Sequence, residues 1–162
     1  FFENAFLIRK LLPYYSNAKK RIVKSPKVYL RDTGLLHYMS NISSHEQLLG
    51  HPVIGFSWEG YVIEQIISVS ENKYEYYFYR TQDGTECDLI IARGNKPLAS
   101  IEIKLTSAPE KTKSFTMAIR DLKTTKNFVI IPKSTESYPM DRNITVCGLG
   151  MFLKNYLPKI IS

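Results

Sequence analysis

The pattern of apolar and polar positions predicts a chain of short strands and helices. Residues 6–12 and 20–31 are rich in apolar and β-branched residues on either side of a polar turn, which predicts two strands. Asp32 or Thr33 then caps a predicted short helix. Residues 40–56 are expected to form a loop. We therefore expect a β-hairpin appendage at the N-terminus, with a domain boundary near residue 50.

The rest of the chain shows a regular succession of elements. The predicted elements are a helix at 57–70 capped by Ser57, strands at 76–80, 85–91 and 99–105, a helix at 109–123 starting at Pro109, strands at 128–131 and 145–147, and a helix at 151–157. Asp83-Gly84 and Gly94-Asn95 are tight-turn signals between successive strands. The predicted fold class is α/β, with a mixed central sheet flanked by helices and a core in the order αβββαβ.

Two of the predicted strands carry charged residues at positions that can converge. Side chains alternate between the two faces of a strand, so Glu102 and Lys104 share one face of the strand at 99–105. In the preceding strand Cys87 and Leu89 are likewise expected on one face and Asp88 on the other, with Asp88 beside Glu102 if the strands are neighbours. Two carboxylates and an ammonium at one point can hold a hard divalent cation, Mg²⁺ or Mn²⁺, and orient a water.

A third carboxylate comes from the helix at 57–70. Glu59 falls within its apolar stripe, whereas Glu64 falls on the opposite side, toward solvent. A carboxylate on a packed face needs a partner, so Glu59 either joins Asp88 and Glu102 or lies in the first turn, where free amides favour an acid. Glu86 is a further ligand or a surface acid. A Glu-x-Lys pair alone is more often a solvated face, and both interpretations stay open.

Composition and charge limit the possible partners. The 162 residues carry a formal net charge of +7, which suits DNA or another polyanion, although a basic run is often only a solvated face. The basic residues considered for nucleic-acid contact are Lys19, Lys20, Arg21, Lys24, Lys27, Lys111 and Lys113. No apolar run approaches the roughly 20 residues of a membrane span, so we expect no membrane partner and a cytoplasmic location. Cys87 and Cys147 are expected to be free buried thiols, with a disulfide as the minor alternative.

The order helix with Glu, strand with Asp, strand with Glu-x-Lys, helix, strand resembles the PD-(D/E)XK superfamily of restriction-endonuclease-like nucleases. Archaeal Holliday-junction resolvases are similar in layout. Residues 24–36, 58–64, 79–88 and 101–104 are similar to the uncharacterised C-terminal domain of bacterial and archaeal AAA-type ATPases. The resemblance implies that residues 1–50 are the tail of a winged-helix and linker region and that 51–162 form the nuclease-like domain. The opening in mid-pattern, without Met, indicates an excerpt of a longer or processed protein.

The resemblance also implies a function. Asp88, Glu102 and Glu59 would bind Mg²⁺ or Mn²⁺, and Lys104 would assist the attack of water on a DNA phosphodiester. The expected partners are DNA and the ATPase domain of the same protein. The chain has no Gly-x-x-x-x-Gly-Lys-Ser/Thr loop, so no nucleotide is expected to bind it. The alternatives are a catalytically inactive module that binds DNA or a protein partner, and a purely structural ion cluster.

Overall fold

The computed structural model describes residues 1–15, 20–70 and 73–161. The strands are β1 (Ile8–Pro13), β2 (Lys27–Leu30), β3 (Glu75–Arg80), β4 (Glu86–Arg93), β5 (Lys96–Ile103), β6 (Lys126–Ile131), β7 (Tyr138–Asp141) and β8 (Ile144–Gly148). The helices are α1 (Thr33–Met39), α2 (His45–Leu49), α3 (Ile54–Ser68), α4 (Lys113–Leu122), α5 (Leu149–Met151) and α6 (Leu157–Ile160), with a π-helical stretch, Phe152–Tyr156, between the last two.

The strands form one mixed sheet in the order β2-β1-β3-β4-β5-β6-β8-β7. The β3-β4-β5 meander is antiparallel, whereas β5, β6 and β8 run parallel to one another. Gly94 and Asn95 take positive φ angles of 56° and 61° and form the two-residue turn between β4 and β5. The predicted mixed α/β fold and the order αβββαβ, from α3 to β6, are confirmed.

The N-terminal hairpin extends the central sheet. β1 pairs with β2 in antiparallel and with β3 in parallel, with Leu12 opposite Tyr77. This pairing brings the start of β2 next to the N-terminal half of α3 and to the start of β4. Residues of the first 30 positions therefore reach the side chains of the later strands.

Two layers of apolar side chains cover the two faces of the sheet. One layer includes Val62 and Ile66 of α3 and Phe152 of the closing helical segment. The other includes Phe115 and Ala118 of α4. β6 contributes to both layers, as its continuous apolar sequence predicted.

Several predicted helix limits are wrong. α3 begins at Ile54, before Ser57, and no side chain caps it. Ser57 is instead buried inside the helix, 2.7 Å from His37 Nε2. α2 lies within residues 40–56, which were expected to be a loop.

The limits of α4 and the last strands also differ from prediction. The Thr112 hydroxyl accepts a 3.2 Å hydrogen bond from Phe115 N and caps α4, so Pro109 lies outside the helix. β7 was not predicted, because the Ser-rich segment around it lacks alternating apolar positions. The prediction of free, buried Cys87 and Cys147 is confirmed. Among the described helices, none is long and apolar enough to cross a membrane.

Candidate functional site

The position of Asp88 depends on an irregularity in β4. β4 carries one extra residue relative to β3, so Asp88 and Leu89 together lie opposite a single residue. Such a β-bulge breaks the alternation of side chains. Cys87 accordingly packs in the α4 layer and Leu89 in the α3 layer. The expectation that Cys87 and Leu89 share a face opposite Asp88 is therefore wrong.

The Asp88 carboxylate is anchored to the main chain of β5. Its Oδ2 accepts a hydrogen bond of 2.8 Å from Ile103 N. This bond continues the β4-β5 ladder beyond the last paired residues, Leu89 and Ile101. Asp88 is thus fixed next to the residue that separates Glu102 from Lys104.

Three acidic side chains surround the ammonium of Lys27, and we call these four residues the Lys27 cluster. Lys27 Nζ lies 2.8 Å from Glu59 Oε1, 3.2 Å from Glu86 Oε1 and 3.6 Å from Asp88 Oδ1. The acids come from α3 and β4, and the lysine is the first residue of β2. The Lys27 side chain is only 19% exposed. The hairpin β1-β2 therefore delivers a cation into an acidic centre.

Tyr29 holds Glu59 in this cluster. Its hydroxyl donates a 2.5 Å hydrogen bond to Glu59 Oε1, and its ring stacks on Phe56 at 5.0 Å between centroids. A Cβ at position 60 would lie 3.0 Å from Tyr29 Cδ1. Gly60 therefore lets α3 approach Tyr29 closely enough for Glu59 to meet both Tyr29 and Lys27.

Glu102 forms a second group with Lys104 and Thr112. Glu102 Oε1 accepts bonds from Lys104 Nζ at 2.9 Å and from Thr112 Oγ1 at 3.0 Å. Its other oxygen, Oε2, is buried and has no hydrogen-bond partner within the described ranges. Lys104 N donates to Ile130 O at 2.9 Å, and Trp58 Nε1 donates to Lys104 O at 3.2 Å. The Glu102–Lys104 pair is thus held by β6, α3 and the start of α4.

Burial and neighbouring charges shift the ionisation of both groups. Burial and, after it, the Glu59 carboxylate raise the pKa of Asp88 to about 7, although Lys27 and the Ile103 amide oppose the shift. Burial lowers the pKa of Lys27, but the carboxylates of Asp88 and Glu59 outweigh it, and the net shift is upward. Burial likewise lowers the pKa of Lys104, and its hydrogen bond to Glu102 reverses this. Both lysines are therefore ammonium ions at neutral pH.

Comparison with known proteins places the chain in a family. Residues 54–152 match the domain of unknown function DUF4143, and residues 1–46 match the domain of unknown function DUF8612. The chain belongs to the DUF4143 family. DUF4143 domains are commonly associated with AAA-type ATPases, which confirms the family part of the predicted resemblance.

Two curated relatives of this DUF4143 domain are uncharacterized proteins, Rv2008c of Mycobacterium tuberculosis and Mb2031c of Mycobacterium bovis. Each is 38% identical over 129 residues, which cover 80% of this chain and 29% of the relative. The chain therefore spans less than a third of the length of these relatives. No solved structure is significantly similar to it.

The predicted site residues lie in two separate groups in the structure. Glu59, Glu86 and Asp88 meet at Lys27, and Glu102 meets Lys104. Among the described residues, no hydrogen bond or ion pair joins Glu102 to Asp88 or Glu59. Within the same residues, no group of three or more His, Cys, Asp or Glu side chains is arranged to hold a metal ion. The structure thus brings Asp88 to the main chain beside Glu102, without a shared three-carboxylate site.

The donor set nevertheless fits a magnesium ion. Mg²⁺ usually binds one or two carboxylates and completes its shell with waters and substrate phosphates. A buried carboxylate oxygen without a partner is costly unless a cation or donor satisfies it. Glu102 Oε2 is such an atom, and Asp88 accepts a hydrogen bond from the adjacent main-chain amide of Ile103. These two carboxylates are the residues that would hold the ion.

Lys27 is the site residue whose role the sequence did not reveal. The sequence makes it a candidate for nucleic-acid contact, but it lies inside the acidic cluster. Lys27 and Tyr29 are two residues apart on β2 and so share a face of the strand. The position of Lys27 two residues from a buried tyrosine is the signal that could have indicated that its side chain lies in the protein interior.

Glu64 also lies elsewhere than expected. It does not point toward solvent: Arg9 Nε and Nη2 donate to it at 2.9 and 3.0 Å, and Arg31 Nε donates at 2.7 Å. The reason is that β1 and β2 cover this face of α3. Burial raises the pKa of Glu64, but the bonds from Arg9 and Arg31 outweigh it and hold the pKa below its ordinary value.

The remaining basic candidates lie in three settings. Lys20 donates to Asp121 at 2.7 Å, and Lys111 donates to Asp141. Arg21, Lys24 and Lys113 are exposed. Lys19 lies outside the described residues.

An open groove of about 580 Å³ runs along α4. It is lined by Lys111, Thr112, Lys113, Thr116, Met117 and Arg120. Thr112 also donates to Glu102, so the groove adjoins the Glu102–Lys104 pair. A polyanion lying in this groove would pass next to that pair.

Proposed function

We propose that this domain has a PD-(D/E)XK-type nuclease core and hydrolyses DNA phosphodiesters with Mg²⁺ or Mn²⁺. The observation that carries the proposal is the buried Glu102 Oε2, which has no hydrogen-bond partner among the described residues and lies beside Lys104 and next to the amide that binds Asp88. The order of α3 with Glu59, β4 with Asp88, β5 with Glu102 and Lys104, α4 and β6 also supports it.

The chain's own residues suit such a reaction. Asp88 and Glu102 would hold Mg²⁺, which supplies Lewis acidity to the phosphodiester and to the attacking water when it is bound. Thr112 and Lys104 occupy Glu102 Oε1 and leave Oε2 for the ion. Lys104 stays protonated, so it stabilises negative charge on the phosphoryl oxygens rather than accepting a proton.

The DNA would be bound mainly through its phosphates. Lys113 and Arg120 line the groove that adjoins Glu102, and the net charge of +7 favours a polyanion. The sequence contains no base-reading motif, so we propose structure-selective or nonspecific binding. In the cell, the AAA-type ATPase of the same protein would be the partner of this domain.

A cleavage assay tests the proposal. Supercoiled plasmid and branched DNA are incubated with the purified domain and Mg²⁺ or Mn²⁺. Glu102→Gln, Asp88→Asn and Lys104→Ala are each expected to lower the cleavage rate by roughly 100-fold or more, since each removes a charge from the reacting centre.

Asp32→Asn is the matched control for this assay. Asparagine caps a helix as well as aspartate, so α1 should be preserved and cleavage unchanged. Cleavage that survives all three site variants would come from another site or a contaminant, and the proposed centre would be wrong.

The second candidate is a nuclease-fold module without catalysis that binds DNA or a protein partner for its ATPase. The observation that favours it is the Lys27 ammonium, which already satisfies Glu59 and reaches Asp88. In this case DNA binding should persist in EDTA and weaken steeply as salt rises. Binding that requires the divalent ion would contradict this candidate.

A further inference from the structure

In the Lys27 cluster a lysine ammonium lies among three carboxylates. Its three carboxylates come from α3 and β4, and the ammonium lies within 3.6 Å of an oxygen of each. We propose that Lys27 is an internal cation that closes this acidic centre, and that a divalent ion competes with it for Asp88 and Glu59. The inference deepens the proposed function, because the ion in question is the one that Asp88 and Glu102 would share.

The charge balance of the cluster favours exchange. Lys27 faces three carboxylates and Arg80 Nε lies 3.8 Å from Glu86 Oε2, which leaves a formal excess of one negative charge when all are ionised. The side chains of Lys27, Glu59 and Asp88 are 19%, 22% and 15% exposed, so water screens them only partly. Replacing the Lys27 ammonium by a divalent ion would therefore make the cluster formally neutral.

The architecture lets Lys27 leave without unfolding the sheet. Lys27 is the first residue of β2, and Lys24, Ser25 and Pro26 before it are exposed. Its long side chain can turn toward solvent while the pairing of β2 with β1 is kept. Glu59 would retain the hydrogen bond from Tyr29. Release of Lys27 would free Asp88 Oδ1 while Oδ2 stays on the Ile103 amide.

Direct measurement of Mn²⁺ binding tests the inference. Isothermal titration of the purified domain with Mn²⁺, without DNA, is compared for the wild type and Lys27→Gln. We expect Lys27→Gln to bind Mn²⁺ about tenfold more tightly or better, because the competing ammonium is gone. Adding Asp88→Asn to Lys27→Gln should abolish the gain and so locate the ion.

Two control variants separate competition from overall charge and from shape. Lys20→Gln removes the same charge at the Asp121 pair and should leave the affinity for Mn²⁺ unchanged. Lys27→Arg keeps the cation and should also leave it unchanged or weaken it. Equal Mn²⁺ affinity of wild type and Lys27→Gln would overturn the inference.

A second pair of variants keeps the inference testable if Lys27→Gln does not fold. Lys27→Gln removes the cation that Glu59 and Asp88 share and could prevent folding, so Glu86→Gln is compared with Lys27→Gln/Glu86→Gln. Glu86 is the most exposed of the three acids, at 35%, and its neutralisation reduces the repulsion. The double variant is expected to bind Mn²⁺ about tenfold more tightly than Glu86→Gln. No difference between them would equally overturn the inference.

Failure of this inference is distinguishable from failure of the proposed function. The titration needs neither DNA nor catalysis. A tenfold gain on removing Lys27, in a domain that cleaves no DNA, supports the competition and refutes the nuclease. Cleavage that depends on Asp88 and Glu102, with Mn²⁺ affinity insensitive to Lys27, supports the nuclease and refutes the competition.

Discussion

At the scale of single residues, the acids of this domain differ in how completely cations satisfy them. Glu64 receives guanidinium groups from both Arg9 and Arg31, and its pKa is lowered. Asp88 shares one lysine with two other carboxylates, and its pKa is raised. The arrangement around Glu64 stabilises the fold. The arrangement around Asp88 instead disfavours the ionised carboxylate, at a position suited to catalysis.

Asp88→Asn is expected to make the domain more stable at pH 8 than the wild type. The folded pKa of Asp88 is about 7, above the ordinary 3.8, so the folded wild type loses stability as pH rises between these values. Asparagine avoids this loss, still accepts the Ile103 hydrogen bond, and leaves Lys27 paired with Glu59 and Glu86. Thermal unfolding at pH 8 and pH 5 should show a gain in Tm that is larger at pH 8.

Glu64→Gln is the matched comparison for that measurement. It should lower Tm at both pH values by several degrees, because Arg9 and Arg31 would lose their shared acceptor. An equal fall in Tm for Asp88→Asn at both pH values would mean that its pairing with Lys27 outweighs the repulsion in the cluster.

At the scale of elements, the meeting of α3 and β2 decides the geometry of the centre. Glycine inside a helix weakens it, and Gly60 lies in the middle of α3. The reason for this glycine is the Tyr29 ring, 2% exposed, which a Cβ would approach to 3.0 Å. Tyr29 is held at both ends, by β2 and by its bond to Glu59, and cannot move aside.

Gly60→Ala is therefore expected to destabilise the domain despite the higher helix propensity of alanine. Propensity contributes up to about 1 kcal/mol in favour of the variant, and overpacking costs about 1–3 kcal/mol. We expect a net loss of about 1 kcal/mol, measured as a Tm lower by about 2–4 °C. The affinity for Mn²⁺ should change as well, since Glu59 would be displaced.

Gly55→Ala in the same helix provides the control. A Cβ at this position has no atom within 4 Å, so the variant should be neutral or slightly stabilising. Equal effects of the two substitutions would show that Tyr29 yields to the added methyl group.

At the scale of the whole molecule, the two groups of site residues meet at neighbouring strands of one sheet. The Lys27 cluster is built from the hairpin, α3 and the bulged end of β4. The Glu102–Lys104 pair adjoins the groove of α4. β4 and β5 are neighbours, so the bond from Ile103 to Asp88 links the two groups.

The groove predicts how DNA binding responds to salt. Lys113→Gln/Arg120→Gln should reduce the slope of log affinity against log salt by about two, because two phosphate contacts are lost. Fluorescence anisotropy of a labelled duplex in EDTA measures this without cleavage. Lys154→Gln/Lys159→Gln, on the exposed side of the closing helical segment, changes the net charge equally and should leave the slope unchanged.

The sequence by itself determined the succession of elements from α3 to β6, the mixed sheet and the acids worth testing. Alternation, helical periodicity and the Gly94-Asn95 turn depend on near neighbours in the chain, so they can be read from it. The same local rules misplaced the start of α3 and hid β7, where no capping residue or alternating pattern marks the element.

Only the tertiary structure decided which cation meets which acid. The pairing of β1 with β2 and β3 brings Lys27 to Glu59 across 32 residues of chain, and the bulge in β4 lets Asp88 reach the same lysine. The same hairpin gives Glu64 to Arg9 and Arg31. Packing around β5 leaves Glu102 Oε2 without a hydrogen-bond partner in the described part of the chain. Such contacts follow from strand register and the packing of distant elements, which no local pattern encodes.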